Sequence, residues 1–185
     1  MTMKNPIVVL LTCVITISTY GQNIKALDEK FGFKETKLEM SISSFSNLVL
    51  KVTSPDNPNL KMYKVMRADL KIGNYTLDEI DYWFYKDKLQ TIEITVTKGY
   101  SNQQGLLRVL ETAYGKGEYG KTSYGSDEYH WYGEKVEMDY TLGDDLEPTG
   151  DLQIISKKLL NEESYDSSLL RKQKETDIIK AAKDL

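Results

Sequence analysis

His130 is the only imidazole in this chain and Cys13 the only thiol, which excludes a thiolate zinc cluster and any site built on two histidines. A histidine acting as general base needs a nucleophile beside it or a carboxylate that orients it. Asp127 and Glu128 are close in sequence, but spacing alone sets no geometry. His130 falls between Tyr129 and Trp131 in a predicted strand, where alternation turns it to the face opposite Trp131. A packing or surface role is the simpler expectation. Asp144, Asp145 and Glu147, with Asp151 close by, form the kind of oxygen-rich loop that can hold Ca²⁺. They lack the alternating Asp-x-Asp-x-Asx pattern and the fixed Glu of a calcium loop, so a solvated acidic turn is expected. Gly115-Lys116-Gly117 and Gly120-Lys121-Thr122 lack the spacing of a phosphate-binding loop. Paired glycosidase carboxylates are defined by a separation in space, which spacing in sequence does not supply. No catalytic residue, metal or cofactor is expected.

The segment of most interest runs from Tyr114 to Tyr129, where tyrosine recurs every five residues, three times followed by glycine. That period matches neither a helix face nor a strand face, so the rings do not form one buried stripe. Tyrosine brings a large contact area with a polar tip and little entropy to lose, and binding loops combine it with Gly and Ser for that reason. Tyr119, Tyr124 and Tyr129, with Trp131, Trp83 and Tyr85 on the neighbouring hairpins, are the candidate binding residues.

The surrounding composition is that of a folded protein. The chain has 185 residues, 40% hydrophobic and 28% charged, with a formal charge of −4, which argues against nucleic-acid binding. Met1-Thr2-Met3-Lys4-Asn5 precedes an apolar run from Pro6 to Ser18, followed by Thr19-Tyr20-Gly21. These are the parts of a secretory signal peptide with cleavage after Gly21, and the run is too short for a permanent membrane span. Lipidation at Cys13 is the competing reading, opposed by Thr12 before it and by the apolar residues that continue beyond it. Cleavage removes Lys4 and Cys13, leaving a chain without cysteine that is held by its core alone. Export to the periplasm or beyond is the expected location.

The elements that must position these residues follow from periodicity. Ile24 to Lys30 reads as a helical turn, Phe31 to Leu38 as the approach to a strand, and Ser41 to Val49 as a helix capped by Ser41. A loop at Ser54–Asn59 precedes a strand from Met62 to Ile72, and Thr76 to Ile80 reads as a turn. Ile80 to Thr97 is a hairpin broken at Lys86-Asp87. Asn102 or Ser101 caps a helix with Leu106, Leu107, Val109, Leu110 and Ala113 on one side, ended by Gly115. Lys116 to Asp127 reads as a glycine-rich loop, Tyr129 to Thr141 as a second hairpin, and Leu152 to Ile155 as a final strand. Tyr82–Glu93 aligns with Tyr129–Tyr140 without a gap, which points to an internal repeat with halves of about 31–98 and 101–160. The expected fold is α+β: two tandem helix-plus-antiparallel-hairpin units forming one sheet with helices on one face. A single domain over 22–160 is followed by a helical tail, 161–185.

Three short motifs, Leu38-Glu39-Met40-Ser41-Ile42, Tyr114-Gly115-Lys116 and Trp131-Tyr132-Gly133, make residues 31–160 resemble β-lactamase-inhibitor-protein-like folds and small envelope proteins of Gram-negative bacteria. Glu39 stands where that group usually has glycine. Members of such groups generally bind other proteins or stay uncharacterised, so the resemblance implies binding to another protein and carries over no catalytic residues. The leading expectation is therefore an exported, non-enzymatic binding protein, inhibitor- or immunity-like, that uses an aromatic sheet face and the Tyr/Gly loop. An envelope-polymer hydrolase using His130 and hairpin acids, a carbohydrate-binding module, and a structural part docking through its last helix are the alternatives. N-terminal sequencing of protein recovered from cells should read Gln22 first. A chain that begins at Met1, or carries lipid on Cys13, would overturn the export reading.

Overall fold

The computed structural model describes residues 22–144 and 148–182. Residues 1–21, on which the expected leader and Cys13 fall, and Asp145 and Glu147 of the acidic loop, lie outside the described residues. Helix α1 (Ile24–Lys30) leads into a short ribbon, β1 (Gly32–Phe33) and β2 (Thr36–Lys37), and a 3-10 turn at Ile42–Ser44. The first half continues with β3 (Leu48–Thr53), β4 (Leu60–Val65), β5 (Lys71–Ile72), β6 (Tyr75–Tyr85) and β7 (Lys88–Val96). Helix α2 (Tyr100–Tyr114) opens the second half, followed by β8 (Glu118–Lys121), β9 (Asp127–Tyr132), β10 (Val136–Thr141) and β11 (Gly150–Ser156). Helix α3 (Lys157–Ala182) follows. No helix among the described residues is long and apolar enough to cross a membrane.

The fold is α+β, two tandem units on one antiparallel sheet. Strand order is β3-β4-β6-β7-β11-β10-β9-β8, with β5 added beside the start of β6. Each unit is thus a four-strand meander, and the two meet through their last strands, β7 and β11. One face carries the core. Ile80 and Tyr82 of β6 lie opposite Ile94 and Ile92 of β7, which lie opposite Leu152 and Ile154 of β11. Met138 and Tyr140 of β10 and Trp131 of β9 extend the layer. Leu106, Leu107 and Leu110 of α2 close over it. Each such aliphatic contributes roughly 1.5–3 kcal/mol on burial. Alternation sends the polar residues between them to the other face.

Local chemistry explains the joints. Lys86 and Asp87 adopt φ of 46° and 59°, a left-handed pair that gives the β6–β7 turn a twist matched to its strands. Gly115 ends α2 with φ 77°, where a side chain would be strained. Gly105 lets α2 lie on Tyr75, since a Cβ there would come within 2.0 Å of the ring. Helix α1 is fastened by Asp28, whose carboxylate accepts from the amides of Glu134 (2.8 Å), Lys135 (2.8 Å) and Val136 (3.1 Å) in the β9–β10 turn. Burial pushes the Asp28 pKa up, but those three amides and the nearby Lys135 charge outweigh it and hold it below the ordinary value.

Several sequence expectations are corrected. Ser41–Val49 is not a helix: after the 3-10 turn, Leu48 onward pairs with β4. Its helical-looking spacing arises because Phe45 packs edge-on against Tyr82 and Phe84, while β-branched Val49, Val52 and Thr53 favour the strand. The strand expected over Met62–Ile72 breaks after Val65, with Arg67 at φ 55°. Thr76–Ile80 belongs to β6 and is no turn. Within the loop expected at Lys116–Asp127, Glu118–Lys121 forms β8 against β9. The final helix starts at Lys157, capped by Ser156 Oγ accepting from Leu159 N. The aligned hairpins are not equivalent in topology, because β6–β7 is the inner pair of its meander and β9–β10 the middle pair.

Asp28→Ala should cost about 1–3 kcal/mol at neutral pH, through the loss of charge-assisted bonds to three amides. The lowered carboxyl pKa makes that contribution present above the unfolded value and lost as pH falls through the folded one. Urea unfolding of both proteins at pH 7 and pH 2.5 checks this: the gap should be wide at the first and shrink at the second.

Candidate functional site

The six aromatic candidates do not share a face. Trp131 is 1% exposed and its indole N–H donates to the Gly115 carbonyl at 2.8 Å, so it ties the end of α2 to β9 within the core. Tyr85 is fully buried, and its hydroxyl donates to Asp166 of α3. Neither ring offers surface to a partner. Tyr129 packs at the core margin, with Tyr119 edge-on to it at 5.6 Å. Trp83 stands on the opposite face and donates from its indole nitrogen to Glu93 at 2.7 Å. Tyr119 and Tyr124 remain exposed, the latter at 92%.

Tyr124 sits at the tip of an ordered hairpin. Lys121 Nζ reaches Asp127 at 2.7 Å and the Gly125 carbonyl at 3.1 Å, and Tyr119 donates to the same Asp127 oxygen at 2.9 Å. The Lys121 hydrogen bond, then that of Tyr119, holds the Asp127 carboxyl below its usual range. Thr122 and Gly125 close the tip by a backbone bond of 2.9 Å. Beside it lies an open cleft of about 400 Å³ between the start of α2 and the β8–β9 hairpin, lined by Tyr100, Gln103, Gln104, Lys121, Ser126 and Asp127 among others. Tyr100, 81% exposed, is the candidate that sequence reasoning missed. It precedes the residues expected to cap α2 and carries no motif. Gln103 is buried and anchors the cleft floor, donating to the Pro148 carbonyl and accepting from Gly143 N, both at 2.7 Å. Asp144 of the acidic loop accepts from Ser126 at 2.6 Å.

The second surface is the sheet face turned away from α1 and α2. One row of residues runs across all eight strands: Val49, Lys64, Asp81, Glu93, Gln153, Asp139, His130 and Glu118, each paired with the next. On one side of it lie Trp83, Thr91, Ile155, Glu137 and Tyr132; on the other, Glu79, Thr95, Asp151, Thr141 and Glu128. His130 Nδ1 meets Asp139 at 2.6 Å and Nε2 meets Glu128 at 3.3 Å. Burial lowers its pKa, yet the Asp139 hydrogen bond and the Asp139, Glu128 and Glu118 charges prevail and the net shift is upward. With a carboxylate at each ring nitrogen, His130 ties β9 to β10 through Asp139. Asp139, nine residues along the chain from His130, is its main partner. Burial, aided by Glu93 and Asp139 though opposed by Gln153, pushes the Asp151 carboxyl up to about 6. Glu79 goes the other way, held at about 2 by hydrogen bonds from Lys51 and Lys64. Among the described residues, no group of three or more His, Cys, Asp or Glu side chains is placed to hold a metal ion.

Scans of family models, curated proteins and solved structures each return no match to this chain. The likeness to β-lactamase-inhibitor-type folds therefore rests on the three motifs alone. Of these, Tyr114-Gly115-Lys116 does end a helix and Trp131-Tyr132-Gly133 does enter a hairpin turn, whereas Leu38–Ile42 leads into the 3-10 turn.

Because the raised Asp151 pKa means tighter proton binding in the folded state, its contribution favours folding at low pH and is lost as pH climbs through about 6. Asp151→Asn should stabilise the protein at pH 8 by about 1–3 kcal/mol, with the gain fading by pH 4. Urea midpoints of both proteins across this range give the answer, and equal midpoints at pH 8 would mean that Asp151 ionises without strain.

Proposed function

We propose that this protein is an exported, non-enzymatic module that binds another protein, with the tyrosine-rimmed end of the sheet as its contact. The observation that carries this reading is the exposure of Tyr100 and Tyr124 beside a cleft whose walls are internally hydrogen-bonded. Large exposed rings on an ordered support lose little entropy on binding, which is how tyrosine-rich recognition surfaces gain affinity. Export is supported by the leader pattern of residues 1–21. A second reading, a structural part docking through its last helix, is favoured by exposed Leu169, Ile178 and Ile179 on α3.

A photo-crosslinking residue at position 124, introduced in cells, should capture one dominant protein. Tyr100→Ser with Tyr124→Ser should reduce binding of that protein at least about tenfold with thermal stability unchanged. Undiminished binding of that protein by the double variant, combined with loss of binding when residues 172–185 are removed, would sink the tyrosine reading in favour of the helix.

A further inference from the structure

We propose that the open sheet face is a docking site for a basic, extended segment of a partner protein, whose lysine or arginine side chains lie among Glu93, Asp139 and Asp151. The inference rests on the binding-module reading and names the chemistry of what is bound, on a surface separate from the tyrosine-rimmed cleft.

Charge complementarity selects the occupant. On the β7-β11-β10-β9-β8 side of this face, alternation and register bring together Glu93, Asp151, Glu137, Asp139, Glu128 and Glu118. His130 is the one basic side chain in these rows. The β3-β4-β6 side is different, because Lys51 and Lys64 neutralise Glu79 and Asp81 from within. The acidic imbalance is therefore confined to one half of the face. A second observation marks the boundary between the halves. Asp81 has a side chain only 7% exposed, its Oδ1 meets no donor among the described residues, and it stands directly across the β6–β7 pair from Glu93. A buried carboxylate oxygen without a donor is costly, and its uncompensated charge adds to the negative potential that Glu93 presents to an arriving cation.

The spread of the carboxylates argues for a polypeptide over a single ion. Residues on neighbouring strands are about 5 Å apart, and alternate residues of a strand about 7 Å apart. An extended segment repeats its own side chains at that second spacing, so successive basic residues can each find a carboxylate. Ring faces flank the row: Trp83 is half-buried and bonded to Glu93, and Tyr132 stacks on His130 at 5.8 Å while 40% exposed. Such rings receive the stems and cationic heads of lysine and arginine.

The probe is a fluorescein-labelled peptide of about eight residues alternating lysine and threonine, titrated into the full chain at low and moderate salt and read by anisotropy. Glu93→Gln with Asp151→Asn removes two charges without changing shape and should weaken binding by about tenfold or more, with thermal stability equal or higher. Glu162→Gln with Glu175→Gln removes two exposed charges on α3 and should leave binding unchanged. Amide shifts on peptide addition should fall on β7, β9, β10 and β11. Equal losses for the two double variants would reduce the effect to net charge and overturn the proposal. Saturation by spermine or Ca²⁺ with no peptide binding would also overturn it in favour of a small cation. Tyr124→Ser should not alter peptide binding, so a failure here is distinguishable from a failure of the cleft reading.

Discussion

The junction at which β7 meets β11 decides most of what this protein can present to its surroundings. Ile92 faces Ile154 and Ile94 faces Leu152 across it, and all four are buried under the helices. A strand's side chains alternate with a period of two, so a slip of one residue here would send that aliphatic set to the other face and the polar set into the core. The hydrophobic free energy of the junction therefore sets the register of the polar row as well. Glu93 lies beside Gln153, and Gln153 beside Asp139, because the isoleucines between them have only one acceptable alignment.

The two faces of the sheet then obey different rules. The covered face is packed with aliphatic and aromatic side chains, and its few polar atoms are tied off, as Trp131 is to Gly115 and Tyr140 to Gln103. On the open face, burial, aided by the charges of Glu93 and Asp139, pushes Asp151 up to about 6, while the His130 ring lies between Asp139 and Glu128. Carboxylates crowded in this way oppose folding, and proteins that retain such strain commonly do so at the surfaces they use. The self-neutralising cluster of Lys51, Lys64, Glu79 and Asp81 shows what the same sheet looks like where charge is balanced.

Smaller fastenings set the edges. Asp28 staples α1 to the β9–β10 turn, and Asn57 joins the β3–β4 loop to Glu163 and Ser167 of α3. Gln90 and Tyr85 complete the seat of α3 by bonding to Leu159 and Asp166. This explains why Tyr85, aromatic and strand-borne like Trp83, is core while Trp83 is not: α3 covers one and stops short of the other.

What the sequence determined by itself was whatever depends on neighbours a few residues apart. Alternation in Ile92–Val96 and Val136–Thr141, the Lys86-Asp87 and Gly133-Glu134 turns, the apolar stripe of α2 and its end at Gly115 were all legible, and with them the α+β class. The polar alternates Glu93, Glu137 and Asp139 were visible as a solvated side of two strands. Long-range pairing was not. Phe45 imitated a helix because its ring answers to Tyr82 and Phe84, and Trp131 and Tyr85 passed for surface because a lone aromatic in a strand does not disclose what covers it. Only the tertiary structure, by fixing strand order and register, placed Asp139 against His130, gathered one row across eight strands, and set Tyr100 on the cleft that Lys121, Gly125 and Asp127 also line. Local periodicity chooses the face to which a side chain turns; the burial free energy of distant strands and helices chooses what it meets there.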